Sequence, residues 1–228
     1  MNMRFLTLAS LAGALMLALA LPTTEVEAKK RYQKSRSGVF DYYSLVLSWS
    51  PTFCDSNAGR RDRQQCGRNR HYAFVVHGLW PQHEKGWPQN CRVKKGNYYI
   101  RQNVIDDMTD IMPSKRLVIH EWKKHGTCSG LSNKDYFAIT RQLYNSIKIP
   151  TRYQKPNNYI TTTPRQLEND FVEANEGLKP SMVSVQCGRR KRLKELRFCF
   201  TKDLKLRPCG RNEDRECRSN TLVLPPVR

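Results

Sequence analysis

Residues 120–128 read His-Glu-Trp-Lys-Lys-His-Gly-Thr-Cys. A zinc-protease signature, HExxH, sets two histidines at i and i+4 on one helix face with a glutamate between them. Here the second histidine comes one residue later. A helix turns about 100° per residue, so His120 and His125 point about 140° apart and are a poor pair of ligands for one metal. Glu121 and His125 are i,i+4 neighbours, as are His120 and Lys124. All four fit within one arc of about 140°, with Trp122 just outside it and Lys123 pointing away. The stretch therefore offers an acid, a cation and two imidazoles on one polar face. A second block, His77-Gly78-Leu79-Trp80-Pro81-Gln82, adds an imidazole at the end of an apolar run. A glycine behind a strand-end histidine is a common way to expose a side chain at a cleft. Alone, His77 would read as a satisfied structural histidine and Trp80 as core packing. Together the blocks suit general acid–base catalysis by two histidines, with lysine stabilising developing negative charge.

These residues need elements to hold them. Phe40 to Trp49 is rich in aromatic and β-branched residues and reads as a strand, and Tyr72 to Val76 as a short buried one leading into His77. Ser50 to Asn69 and residues 83–97 read as loops. Ile100, Val104, Met108 and Ile111 recur at helical spacing, which predicts a helix over 98–112 ended by Pro113. Lys115 to His125 reads as a helix stopped by Gly126. Ser132 to Asp135 resembles a capping box opening a helix with Phe137, Leu143, Tyr144 and Ile147 on its apolar side, ended by Pro150. Thr163-Pro164 starts another, through about Asn175. Met182 to Cys187 and Leu196 to Thr201 read as strands. Strands at both ends with helices between give one α+β domain over 38–228, an antiparallel central sheet packed by several helices and stabilised by disulfides.

The start of the chain reads differently. Arg4 precedes a uniformly apolar run over 5–21, and Val26-Glu27-Ala28 fits a small-x-small cleavage site. Residues 1–28 read as a secretory signal peptide, followed by a basic tail over 29–37. A membrane anchor is the alternative, but the run is short for a span, so no stable membrane insertion is expected. Export suits the eight cysteines, even in number and without a CxxC pair, as four disulfides in a secreted or periplasmic protein. The net charge is +20, and removing the leader leaves +21. Such a field attracts polyanions, nucleic acid first and anionic surfaces second.

The two histidine blocks resemble the signature segments of the ribonuclease T2 family, secreted transferase-type ribonucleases that include the plant self-incompatibility RNases. The likeness extends to Ser48-Trp49-Ser50-Pro51, to a cysteine between the motifs and one closing the second, Cys91 and Cys128, and to the cysteine-rich stretch Cys187 to Cys217. It covers roughly residues 40–217. The resemblance implies that His77 and His125 are the acid–base pair, that Glu121 and Lys124 stabilise the pentacoordinate phosphate, and that His120 helps hold phosphate. Trp80 would stack on a base, and Gln82, where some members have Asp, would loosen base preference. It also implies the pairs Cys91–Cys128, Cys54–Cys66, Cys187–Cys217 and Cys199–Cys209. His71 is expected to be structural.

The implied chemistry is self-consistent. RNA supplies its own nucleophile, the ribose 2′-hydroxyl, so cleavage needs a base, an acid and a cation, with no metal or cofactor. The expected partner is single-stranded RNA, cut through a 2′,3′-cyclic phosphate by a monomer. DNA, lacking the 2′-hydroxyl, would bind uncut. Family schemes usually make His125 the base and His77 the acid; the sequence does not decide that direction. A cationic binding protein that has kept the fold is the alternative of another class, and a zinc hydrolase ranks third.

Overall fold

The computed structural model describes residues 35–214 and 217–227. The leader expected over 1–28 and most of the expected basic tail lie outside the described residues.

The centre is a four-stranded antiparallel sheet in the order β2-β1-β5-β4. Its strands are β1 (Tyr42–Trp49), β2 (Phe74–Gln82), β4 (Val183–Cys187) and β5 (Leu193–Phe200). Strand β1, Tyr-Tyr-Ser-Leu-Val-Leu-Ser-Trp, is buried along nearly its whole length because it is paired on both edges and covered on both faces. Leu45, Leu47 and Trp49 join Phe74, Val76, Leu79, Leu196 and Phe198 in the apolar core.

Three longer helices complete that core: α1 (Lys115–Lys124), α2 (Asn133–Ser146) and α3 (Pro164–Ala174). They contribute Val118 and Trp122, Tyr136 and Phe137, and Leu167 and Phe171. The Ser132 hydroxyl caps α2 by accepting from the Asp135 N–H, and Thr163 caps α3 by accepting from Gln166.

Several elements depart from the sequence expectation. The helix expected over 98–112 shrinks to Gln102–Asp106, followed by turns. Tertiary pairing overrides the periodic pattern there, since the Ile111 carbonyl accepts from the Val76 N–H at 2.8 Å. Strand β2 runs on through Gln82, and β5 begins at Leu193. A second, two-stranded sheet pairs β3 (Ile160–Thr162) with β6 (Leu222–Leu224). The loops over 50–69 and 83–97 contain short helical turns at Ser50–Cys54, Arg63–Cys66 and Lys95–Tyr98.

The bridges are Cys54–Cys66, Cys91–Cys128, Cys187–Cys217 and Cys199–Cys209, the set that the family resemblance implies. No helix among the described residues is long and apolar enough to cross a membrane.

Candidate active site

The first histidine block owes its geometry to a β-bulge. Val46 of β1 pairs with Gly78, and the next residue, Leu47, pairs with Val76, so His77 is the extra residue. Side chains alternate faces along a regular strand, and a bulge breaks that alternation. Without it, His77 and Trp80 would point to opposite faces. With it, both lie on the face away from the core, their rings 5.2 Å apart edge to face. His77 is therefore a mid-strand residue on a bulge rather than the end of a strand.

Strand β5 meets this face with Glu195, opposite Ser48, and Arg197, opposite Val46. Glu195 is 1% exposed. Its Oε1 lies 3.0 Å from His77 Nδ1 and 3.3 Å from Lys194 Nζ, and its Oε2 accepts from Arg197 at 3.1 Å. Burial opposes ionisation of this carboxyl, but the His77 hydrogen bond and the surrounding cations win, and its pKa falls far below the usual range. Neither Glu195 nor its cations figure in the motifs. The only sequence signal is an acid in an apolar-flanked strand, Leu193 to Phe200.

Glu121 comes from α1 and is also 1% exposed. Its Oε2 accepts the Trp80 indole N–H at 2.6 Å, and its Oε1 lies 3.6 Å from His77 Nε2. The carboxylate thus turns toward β2 rather than toward His125, the neighbour that helical spacing suggests. Gly78 makes this possible. A Cβ there would sit 2.1 Å from Glu121 Oε2 and 2.7 Å from Trp80 Nε1. Burial raises the Glu121 pKa against the opposing pull of His77 and Trp80. For His77, burial alone would lower the pKa. The Glu195 hydrogen bond and the charges of Glu121 and Glu195 outweigh it, so the net shift is upward.

His125 sits just beyond the last helical residue of α1, with φ −116° and ψ −49°. Its N–H still donates to the Glu121 carbonyl at 2.9 Å. Gly126 follows in helical-turn geometry; its need for glycine is the indole of Trp122, whose Cε3 would lie 2.4 Å from a Cβ. His125 is 4% exposed and stacks on Trp80 at 5.0 Å with 25° between ring planes. Burial, with the charges of Lys124, His77 and His120, lowers its pKa from 6.5 to about 3. Lys124 is half-buried and forms no ion pair among the described residues. His120 is exposed, its pKa lowered by partial burial and by Lys124 and His77. The Cys91–Cys128 bridge and the Asn90 N–H, donating to the Lys124 carbonyl at 2.8 Å, clamp this helix end.

The structure thus brings together His77, Trp80, Glu121 and His125, with Lys124 and His120 on the same helix end. Trp80 is partly buried and already engaged by Glu121, His125 and Arg197, whose guanidinium carbon lies 5.0 Å from its ring centre. Gln82 is 2% exposed, and its side-chain oxygen accepts from Asn212 at 3.0 Å. His71 is exposed rather than packed into the structure.

A disulfide-tied α+β domain that sets two histidines between buried carboxylates and a lysine is built for acid–base chemistry at an anionic centre. The chain matches the model of the ribonuclease T2 family over residues 40–209. It is 33% identical over 171 residues to a ribonuclease of Aeromonas hydrophila, spanning 75% of this chain and 76% of that protein. It is 30% identical over 191 residues to ribonuclease DdI of Dictyostelium discoideum, spanning 78% and 81%. In fold it matches an RNase-related protein from Calystegia sepium with a TM-score of 0.65 at 24% identity, over 83% of this chain and 98% of that one. The chain belongs to the ribonuclease T2 family, a family of RNA-cleaving endoribonucleases.

Proposed function

We propose that this endoribonuclease cleaves single-stranded RNA by metal-independent acid–base transphosphorylation. The carrying observation is that the two histidines sit in opposite electrostatic surroundings. His125, buried beside Lys124, stays neutral and accepts the 2′-hydroxyl proton. His77, between two carboxylates, stays protonated and gives its proton to the leaving 5′-oxygen. The 2′-oxygen bonds to phosphorus as the 5′-oxygen leaves, giving a 2′,3′-cyclic phosphate. Water, with the two roles reversed, then opens it to a 3′-phosphate.

Lys124 offsets the charge that builds on the phosphoryl oxygens, with His120 at the outer edge. Glu121 braces both His77 and the Trp80 indole. Trp80 provides the ring against which a base packs. Gln82 carries no charge to select a base, which supports low base specificity. Four disulfides and the apolar start of the sequence support action outside the cytoplasm, in a secreted or periplasmic setting.

The test is digestion of a short single-stranded RNA in excess EDTA, wild type beside His125→Ala, with products resolved by mass. Cyclic-phosphate ends from wild type alone are expected. Tight RNA binding without cleavage by either would replace this reading with that of a cationic binding protein.

A further inference from the structure

Glu195 is a buried carboxylate on the site face of β5, so far given only the part of a negative charge beside His77. We propose that Glu195 is the positioning residue of His77: it accepts the Nδ1 proton, so that Nε2 is the atom that delivers a proton to the leaving 5′-oxygen. This rests on the acid–base reading of His77 and adds to it.

Three observations carry the proposal. The Nδ1 contact is 3.0 Å, whereas Glu121 stands off Nε2 at 3.6 Å. Nδ1 is thus held by the protein, while among the described residues Nε2 has only the more distant Glu121 to give up before substrate binds. Second, Glu195 is itself fixed. Lys194 holds one oxygen and Arg197 the other, and Arg197 leans over the Trp80 ring on which His125 stacks. Third, His77 is on a bulge, where the paired backbone alone does not set the ring direction. A side-chain acceptor reaching from β5, on the other side of β1, supplies that direction, as carboxylate partners do for catalytic imidazoles generally.

The proton balance is simple. His77 enters protonated on both nitrogens. It loses the Nε2 proton to the 5′-oxygen and leaves neutral, keeping the Nδ1 proton on the Glu195 hydrogen bond. The charges facing His77 are Glu195 and Lys194 from β5 and Glu121 from α1, with His120 and His125 at the end of that helix. Arg197 acts on it through Glu195. Neutralising Glu195 removes one of two anions and leaves Lys194 uncompensated. Both changes favour the neutral imidazole, so the alkaline limb of the pH–rate profile moves to lower pH.

The experiment uses the full disulfide-bonded protein and a dinucleotide RNA substrate. For Glu195→Gln, kcat falls by about 10² with KM within about twofold. Its alkaline limb shifts down by about one pH unit. Glu195→Asp, which keeps the charge, restores the limb. A buried residue of purely structural importance would lower the melting temperature without moving that limb. Nitrogen-15 NMR of the wild-type imidazoles gives a reading that needs no variant: His77 keeps its Nδ1 proton on both sides of its titration. A neutral His77 protonated on Nε2 alone, or a Glu195→Gln profile that overlays wild type, would overturn the proposal. His77→Ala separates the two levels of inference. If it is fully active, the acid–base reading itself fails; if it is inactive while Glu195→Gln behaves as wild type, only the positioning role fails.

Discussion

The sheet and helix halves of the site put the same side chain in opposite electrostatic surroundings. On the sheet side, His77 lies between Glu195 and Glu121, whose charges favour its protonated form. On the helix side, His125 is buried against Trp80 and lies beside Lys124, which favours its neutral form. A helix C-terminus by itself favours a cation, typically by about 0.3–1 kcal/mol. The fall of the His125 pKa from 6.5 to about 3 runs the other way and is larger, since each pH unit corresponds to about 1.4 kcal/mol. Burial and a neighbouring cation therefore override the dipole. In the proposed mechanism, acid and base are set by which element supplies the neighbours, carboxylates from strand and helix on one side and a lysine on the other.

Replacing either histidine by alanine should break the comparison outright. A loss of about 10²–10⁴ in kcat is expected for each, measured on single-stranded RNA in EDTA. The double variant should lose far less than the product of the two, since the pair acts as a unit. Next in size is Gly78→Ala. The added methyl would displace the Glu121 carboxylate from His77 and Trp80, costing about 1–3 kcal/mol of stability and leaving kcat well below wild type at a temperature where the variant is still folded. Unchanged activity there would remove Glu121 from the site.

Lys124→Ala sharpens the helix side. Loss of a positive charge favours the imidazolium, so the His125 pKa rises and the acid limb of the pH–rate profile moves to higher pH. The wild-type acid limb should lie well below pH 6, so a wild-type limb near 6.5 would contradict the base assignment. The smallest effect is expected from Trp80→Phe. It keeps a ring against His125 but deletes the N–H donated to Glu121, and a fall of about tenfold in kcat, the low end for one hydrogen bond to a charged group, would separate that bond from stacking.

Much of this was legible in the residues. Caps at Ser132 and Thr163 marked helix starts because their side-chain bonds are local, satisfied within three residues. Strand β1 was legible because its aromatic and β-branched residues suit a pleated, buried sheet position. The helix over 98–112 was misread, since its periodic apolar residues are consumed by turns that pack onto β2. The short β3–β6 sheet was missed, as three-residue strands far apart in the chain carry no local pattern.

The same division holds in the site. Residue type and spacing drew Glu121, Lys124 and His125 together, because a helical turn puts them on one face, and the likeness of both histidine blocks to the family's signature segments added His77. Only tertiary structure decided which way Glu121 turns, why Gly78 must lack a side chain, and that His77 shares a face with Trp80. A bulge is a relation between two strands, and a close approach is a relation between a strand and a helix. Glu195 lies 118 residues from His77 along the chain. No spacing rule reaches that far, whereas the pairing of β5 with β1 puts it at hydrogen-bonding distance.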